Sequence, residues 1–201
     1  MSLTSASIFG TAVLLPGNPP VICRDTAAAR RWARPIARWL ARREMRALVA
    51  LAGEESIPVL LGWDGRRLYR SAIPGNTLRV AAPRDPAYFR AALRVLARMH
   101  RRGVAHNDLA REENLLVTAA NRPALIDFQL AWCDRSRGRL FRLMAREDLR
   151  HLLKHKRCYC PERLTARERR LLATPGAAAR LWRAGPQRLL ASLARMLTPR
   201  P

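Results

Sequence analysis

Lysine is nearly missing from this chain: of 38 basic residues only Lys154 and Lys156 are lysines, and the rest are arginine. Acidic residues are scarce too, 15 in all, which leaves a formal net charge of +23. No run of 18 apolar residues occurs, so no membrane-spanning helix is expected. No basic stretch precedes the apolar segment Ile8 to Leu15, so no secretory signal is expected either. The four cysteines are irregularly spaced in a chain of 201 residues, which argues against a disulfide framework. Internal repeats are absent. These absences together suggest a cytoplasmic protein.

About half of the residues, 49%, are hydrophobic, enough for a real core. The length suits one medium domain or two small lobes. The arginine charge attracts nucleic acid, acidic lipid headgroups, acidic partners and nucleotides alike. It is spread along the chain rather than gathered in one block, so it selects none of them. A peripheral position at the inner membrane surface fits the same charge.

The informative stretch is Val104-Ala105-His106-Asn107-Asp108-Leu109-Ala110-Arg111-Glu112-Glu113-Asn114-Leu115-Leu116, followed by Ala124-Leu125-Ile126-Asp127-Phe128-Gln129. Leu115-Leu116-Val117 and Pro123-Ala124-Leu125-Ile126 read as two short strands joined by a turn over Ala119 to Arg122. Such a hairpin sets Asn114 at the start of one strand and Asp127 at the end of the other. A His-x-Asp, a following Asn and an Asp-Phe in this order form the pattern of a kinase phosphotransfer core. Phosphoryl transfer needs an acceptor for the substrate hydroxyl's proton and metal ions to neutralise phosphate charge. Asp108 suits the first task. Asn114 and Asp127 offer the oxygen donors that magnesium prefers. Taken singly, Asp108 reads equally as a solvated loop carboxylate and Asn114 as a turn residue or cap; order and context favour the joint reading.

Periodicity supplies the surroundings. Ser7 to Leu15 reads as one strand bent at Gly10, and Val21 to Arg24 as a second, after a turn over Pro16 to Pro20. Arg30 to Leu51 is largely helical, with Ile36, Leu40, Leu48 and Leu51 on roughly one face and Gly53 as a stop. Strands Pro58 to Trp63 and Arg67 to Ile73 flank the hairpin dipeptide Asp64-Gly65. Pro74-Gly75 reads as a hinge. Asp85-Pro86 caps a helix that ends at Gly103 and delivers the chain into His106. Helices follow over Arg146 to His155, Ala166 to Leu172, Ala177 to Trp182 and Pro186 to Leu197.

The chain resembles the bacterial RIO-like kinases, atypical serine/threonine relatives of the protein kinases, over about Phe9 to Trp182. The resemblance rests on His106-Asn107-Asp108-Leu109-Ala110, on Asp127-Phe128-Gln129-Leu130-Ala131-Trp132, and on Arg146-Glu147-Asp148-Leu149-Arg150-His151-Leu152-Leu153-Lys154-His155-Lys156. It implies an α+β, two-lobed protein-kinase-like fold: a reduced, β-rich N-lobe over 1–74 and a helical C-lobe over 75–201. It also implies ATP and Mg2+ in the cleft. It supplies no substrate; the acceptor is a protein Ser or Thr hydroxyl or a small molecule.

Several positions depart from the kinase pattern. No lysine precedes residue 154, so the phosphate-holding lysine of the third strand is absent. Arg24 stands in its place, with Glu44 twenty residues later as its partner by position. Arginine binds phosphate well but is not interchangeable with lysine at a tight site. Arg24 therefore does the lysine's work, marks a nucleotide-responsive pseudokinase, or is a surface residue of an edge strand. The phosphate-covering glycine motif is reduced to Gly10, since Gly17 lies too far away and belongs to a turn. Asn114 falls six residues after Asp108 where the signature has five, which leaves Glu113 as an alternative ligand. Gln129 replaces the glycine after Asp-Phe, no Ala-Pro-Glu stretch follows, and Asn107 replaces the arginine beside the catalytic Asp. A phosphorylation-driven activation loop is therefore not expected. His106 is expected to orient backbone near Asp127, and Asp148 to cap a helix or brace the catalytic loop.

The expected activity is magnesium-dependent transfer of the ATP γ-phosphoryl group. Rival readings are the pseudokinase and, from charge and resemblance, an RNA-associated factor. A zinc site from His151, His155, Cys158 and Cys160 is disfavoured by the tight Cys-x-Cys spacing and the neighbouring Lys154, Lys156 and Arg157. The basic, amphipathic stretch from Arg180 to Leu197 favours packing on the large lobe over lying on a membrane.

Overall fold

A computed structural model describes residues 4–174 and residue 176. The helices expected over 177–182 and 186–197 lie outside the described residues. The fold is mixed α/β, with strands concentrated toward the N-terminus and helices toward the C-terminus. Contacts divide the chain into two compact units, 1–163 and 164–201.

The first unit opens with β1 (Thr4–Ser7), β2 (Gly10–Leu15) and β3 (Val21–Asp25). The single bent strand expected over Ser7 to Leu15 is thus a β-hairpin, with Ser7 paired to Gly10 across the turn at Ile8-Phe9. Gly10 explains the reversal. Its φ is +113°, and an added Cβ would run into the backbone carbonyl of Asp25. Only glycine reaches that conformation without strain.

A 3-10 turn (Arg31–Ala33) leads into α1 (Arg34–Ala50), with Pro35 at its N-terminus where a missing N–H costs nothing. Leu40 and Leu48 are buried, and so is Leu51 just beyond the helix; Ile36, expected on the same face, is 44% exposed. Glu44 takes a buried position instead. Next come β4 (Leu60–Trp63) and β5 (Arg67–Ser71). Asp64 shapes their turn, its Oδ1 accepting from the Arg66 and Arg67 amides. The five strands form one antiparallel sheet in the order β1-β2-β3-β5-β4.

β6 (Asn76–Thr77) and α2 (Leu78–Ala81) connect to α3 (Pro86–Arg101), where Asp85 caps the Ala87 amide as the sequence suggests. β7 (Val104–Ala105) pairs with β10 (Trp132–Cys133), and β8 (Leu115–Val117) lies between β6 and β9 (Pro123–Leu125). α4 (Arg139–Tyr159) begins seven residues before the expected Arg146. One hydrophobic core joins Leu48 and Leu51 at the end of α1 to Tyr88, Phe89 and Leu96 of α3, to Leu109, and to Phe128 and Leu152.

The second unit holds α5 (Ala166–Ala173). Thr165 and Glu168 form its reciprocal capping box. Among the described residues, no helix is long and apolar enough to cross a membrane.

Candidate active site

α3 stops at Arg101, just before Gly103, and β7 carries the chain into a loop held by α4. Asp148, 1% exposed, accepts hydrogen bonds from the backbone amides of His106 (2.7 Å) and Asn107 (2.8 Å). The His100 ring lies 3.1 Å from the same carboxylate. Asp148 sits in the middle of α4 and not in a first turn, so it braces the loop and caps nothing. Asn107 adopts a left-handed conformation, φ +67°, which Asn tolerates better than most residues. The loop is also tied at its far end, where the His155 Nε2 lies 2.8 Å from the Leu109 carbonyl.

His106 is fully buried, with Nε2 3.0 Å from the carbonyl of Ile126. A carbonyl only accepts, so Nε2 carries the hydrogen. The ring also rests against Phe128, 4.6 Å between centroids. His106 therefore links the loop to the Ile126 carbonyl before Asp127 and to the Phe128 ring after it.

Asn114 and Asp108 meet directly. The Asn114 amide nitrogen donates to the Asp108 carbonyl at 2.8 Å and to its carboxylate Oδ2 at 2.9 Å. Asn114 is 3% exposed. Glu113 turns away, into ion pairs with Arg79 (3.5 Å) and Arg111 (3.9 Å). A 3-10 turn over Glu112–Asn114 absorbs the extra residue of the spacing and points the amide back at Asp108. Across the hairpin, the Ile126 amide donates to the Asn114 carbonyl at 3.1 Å, which brings Asp127 alongside.

Asp127 has φ +64°. Its Oδ1 accepts from the Gln129 side-chain amide at 2.6 Å and lies 3.7 Å from the Arg24 guanidinium. Arg24 in turn reaches Glu44 at 3.3 Å. Three sequence-predicted residues thus meet: Arg24 from β3, Glu44 from α1 and Asp127 after β9. Gly10 has a packing role in the β1–β2 hairpin. The register that pairs Ala12 with Arg24 sets it near the end of the same strand.

Two participants were not foreseen. Arg70 on β5 lies 3.0 Å from Glu44 Oε1. Its alternation with fully buried Leu68 on one face of the strand was the available signal. Gln129 stands where the kinase pattern has glycine, and its side-chain amide donates to Asp127 Oδ1. The arginine contacts on Glu44 are ion pairs outside hydrogen-bond geometry, so the buried carboxylate is neutralised by proximity rather than by directed bonds.

The donor set fits a hard cation of magnesium type. Asp127 offers a carboxylate, and Asn114 has its nitrogen committed to Asp108, which leaves its oxygen for a metal. No group of three or more His, Cys, Asp or Glu side chains suited to a metal occurs among the described residues. Two protein donors fit an ion that keeps waters and substrate phosphates as its other ligands better than they fit a protein-caged one. Two of the four candidate zinc ligands have other partners: His155 Nε2 lies 2.8 Å from the Leu109 carbonyl, and the Cys160 thiol 2.9 Å from the Arg84 carbonyl.

The chain matches no protein-family model and no curated protein sequence.

Proposed function

We propose that the chain is an atypical protein-kinase-like phosphotransferase with a small lobe over 1–74 and a large lobe over 75–201. It would move the γ-phosphoryl group of magnesium-bound ATP to a hydroxyl of a protein Ser or Thr or of a small molecule. The observation that carries this reading is the double contact of Arg24 with Glu44 and Asp127. A cation between the helix glutamate and the Asp of Asp-Phe is what phosphate binding in a kinase cleft requires. The strand order of the sheet, with α1 inserted between its third and fourth strands, supports the same reading.

Each residue then has a task. Arg24 offers its planar guanidinium to phosphate oxygens, where lysine would act as a point charge. Glu44, also neutralised by Arg70, keeps Arg24 aimed into the site. Asn114 grips one oxygen of the Asp108 carboxylate and leaves the other to accept the acceptor hydroxyl's proton, an effect worth about 10²–10⁴-fold in rate. Asp127 and Asn114 would hold the metal. When bound, magnesium would supply positive charge that neutralises the nucleotide phosphates.

One observation favours a pseudokinase instead. Asp127 Oδ1 is shared by Gln129 and Arg24, which compete with any cation for it.

Magnesium-dependent ATP turnover in the wild type and in Asp108→Ala separates the two. Turnover that vanishes in the variant supports the kinase. Nucleotide binding without turnover in either protein, across a broad panel of hydroxyl acceptors, supports the pseudokinase. Arg24→Lys asks whether the site is built around arginine: activity then falls, and a rise would mark the arginine as an impairment.

A further inference from the structure

α1 turns a face outward that a water-exposed helix has no reason to carry. Trp32, just before the helix, is 64% exposed, Ile36 44% and Trp39 52%. Their spacing of four and three residues lines them along one side of the helix. The patch continues off α1. Arg43 stacks on the Trp39 ring at 4.5 Å and donates to the Leu130 and Ala131 carbonyls at 2.9 and 2.8 Å. Beyond them a shallow hollow between Trp39 and Arg46 on one side and Trp132 and Cys133 on the other joins the two segments. Leu130 (42%) and Trp132 (36%) extend the apolar surface.

The charge of this face has one sign. The helix's single carboxylate, Glu44, is buried on the opposite side with Arg24 and Arg70. Arg31, Arg42 and Arg46 are exposed beside the aromatics. Tryptophan and aliphatic side chains rimmed by arginine, on a helix lying along a surface, match the chemistry of a lipid headgroup boundary. Nucleic acid would use the arginines and stack on the tryptophans, but it has no use for Ile36 and Leu130.

We infer that the outward face of α1, together with Leu130 and Trp132, docks the protein on an anionic phospholipid bilayer. The arginines meet the headgroup phosphates, and Trp32, Ile36 and Trp39 enter the headgroup–acyl boundary. This inference is independent of the phosphotransfer reading.

The test must separate this face from general attraction by a chain of charge +23. Trp32→Ser/Trp39→Ser leaves the net charge unchanged, so attachment by charge alone does not respond to it. The full chain is sedimented with vesicles of phosphatidylcholine and with equimolar phosphatidylcholine–phosphatidylglycerol. The wild type is expected to bind only the anionic vesicles, and the double variant, checked for folding by circular dichroism, at least tenfold less. Trp32→Ser/Ile36→Ser, which spares the Arg43 stack, is expected to behave alike. Equal partitioning of wild type and both variants overturns the inference. So does loss of binding to single-stranded DNA with vesicle binding intact, which would assign the face to nucleic acid.

Discussion

Arg70 Nε lies 3.0 Å from Glu44 Oε1, so the buried carboxylate of α1 holds a second arginine besides Arg24 on its other oxygen. Both guanidinium groups are largely buried, with side chains 6% and 15% exposed. Glu44 is thus the counter-ion of two desolvated cations. Its removal hurts more than removal of either partner. Glu44→Gln is expected to cost roughly 3–5 kcal/mol, the range for a buried ion pair that loses one member. Arg70→Met leaves Glu44 with Arg24 and is expected to cost about 1–3 kcal/mol. Denaturant midpoints at constant slope measure both. A smaller loss for Glu44→Gln than for Arg70→Met would show that the carboxylate is not the hub.

Gly10 and Gly65 offer a matched comparison. Both have positive φ, +113° and +91°. An added methyl at Gly65 meets open space, whereas at Gly10 it meets the Asp25 carbonyl. Gly65→Ala carries conformational strain alone, about 1–3 kcal/mol. Gly10→Ala adds a backbone collision, and its unfolding free energy is expected to fall further by roughly 1–3 kcal/mol. Equal losses would mean that the β1–β2 hairpin yields, and that the glycine is not required by packing on β3.

The brace under the His106–Asn107 loop makes a sharper prediction. Asp148 accepts from two adjacent backbone amides, one on each carboxylate oxygen. An asparagine has one acceptor oxygen and would turn an NH2 toward the other N–H. Asp148→Asn is expected to cost roughly 2–4 kcal/mol, since bonds to a charged acceptor are the stronger kind. Hydrogen exchange at the His106 and Asn107 amides should accelerate more than exchange at the core amides of α3. Unchanged protection of those two amides would be incompatible with the brace.

Local signals carried most of the fold. Asp85-Pro86, Gly103, Asp64-Gly65 and the Asn114–Asp127 hairpin each combine a turn or cap residue with a short apolar run, so their neighbours decide their structure. The misreadings share the opposite property. The β1–β2 turn looks like continuous strand because Ile8 and Phe9 are apolar, and only the collision at Asp25 reveals why Gly10 reverses the chain. Ile36 fits the apolar periodicity of α1, yet it is exposed, while charged Glu44 is buried. Pattern alone does not anticipate a buried charge whose partners lie on β3 and β5. The same holds for Arg70 and Gln129. Their roles depend on contacts made by folding, across 26 residues in one case and through the unusual backbone of Asp127 in the other.

His151, half-buried on α4, has its pKa pushed below the usual histidine value by burial, with repulsion from Lys154 adding to it; Glu147 and Asp148 oppose both. The folded state therefore resists protonation. As pH falls through about 6.5 the unfolded chain takes up the proton first, which draws the equilibrium toward unfolding. The penalty is absent above that pH and levels off once both states are protonated. His151→Gln removes this contribution. The stability of the variant relative to wild type should be constant above pH about 7 and shift in the variant's favour below about 6. Denaturant titrations across that range test it, and a difference that stays flat would contradict the burial effect.

Gln129 holds Asp127 Oδ1 at 2.6 Å, the position a cation would need. Gln129→Ala removes that donor and leaves the Arg24 guanidinium 3.7 Å from the same oxygen. If Asp127 binds the metal of a nucleotide complex, the variant should reach half-maximal ATP binding at several-fold lower magnesium than wild type. Without nucleotide it should be less stable by about 1 kcal/mol, because a bond to a partly exposed carboxylate is lost. The two readouts separate the causes. A purely structural bond lowers stability and leaves the magnesium requirement where it was. A competing ligand shifts the requirement as well, and the direction of that shift decides whether Gln129 guards a metal site or has replaced one.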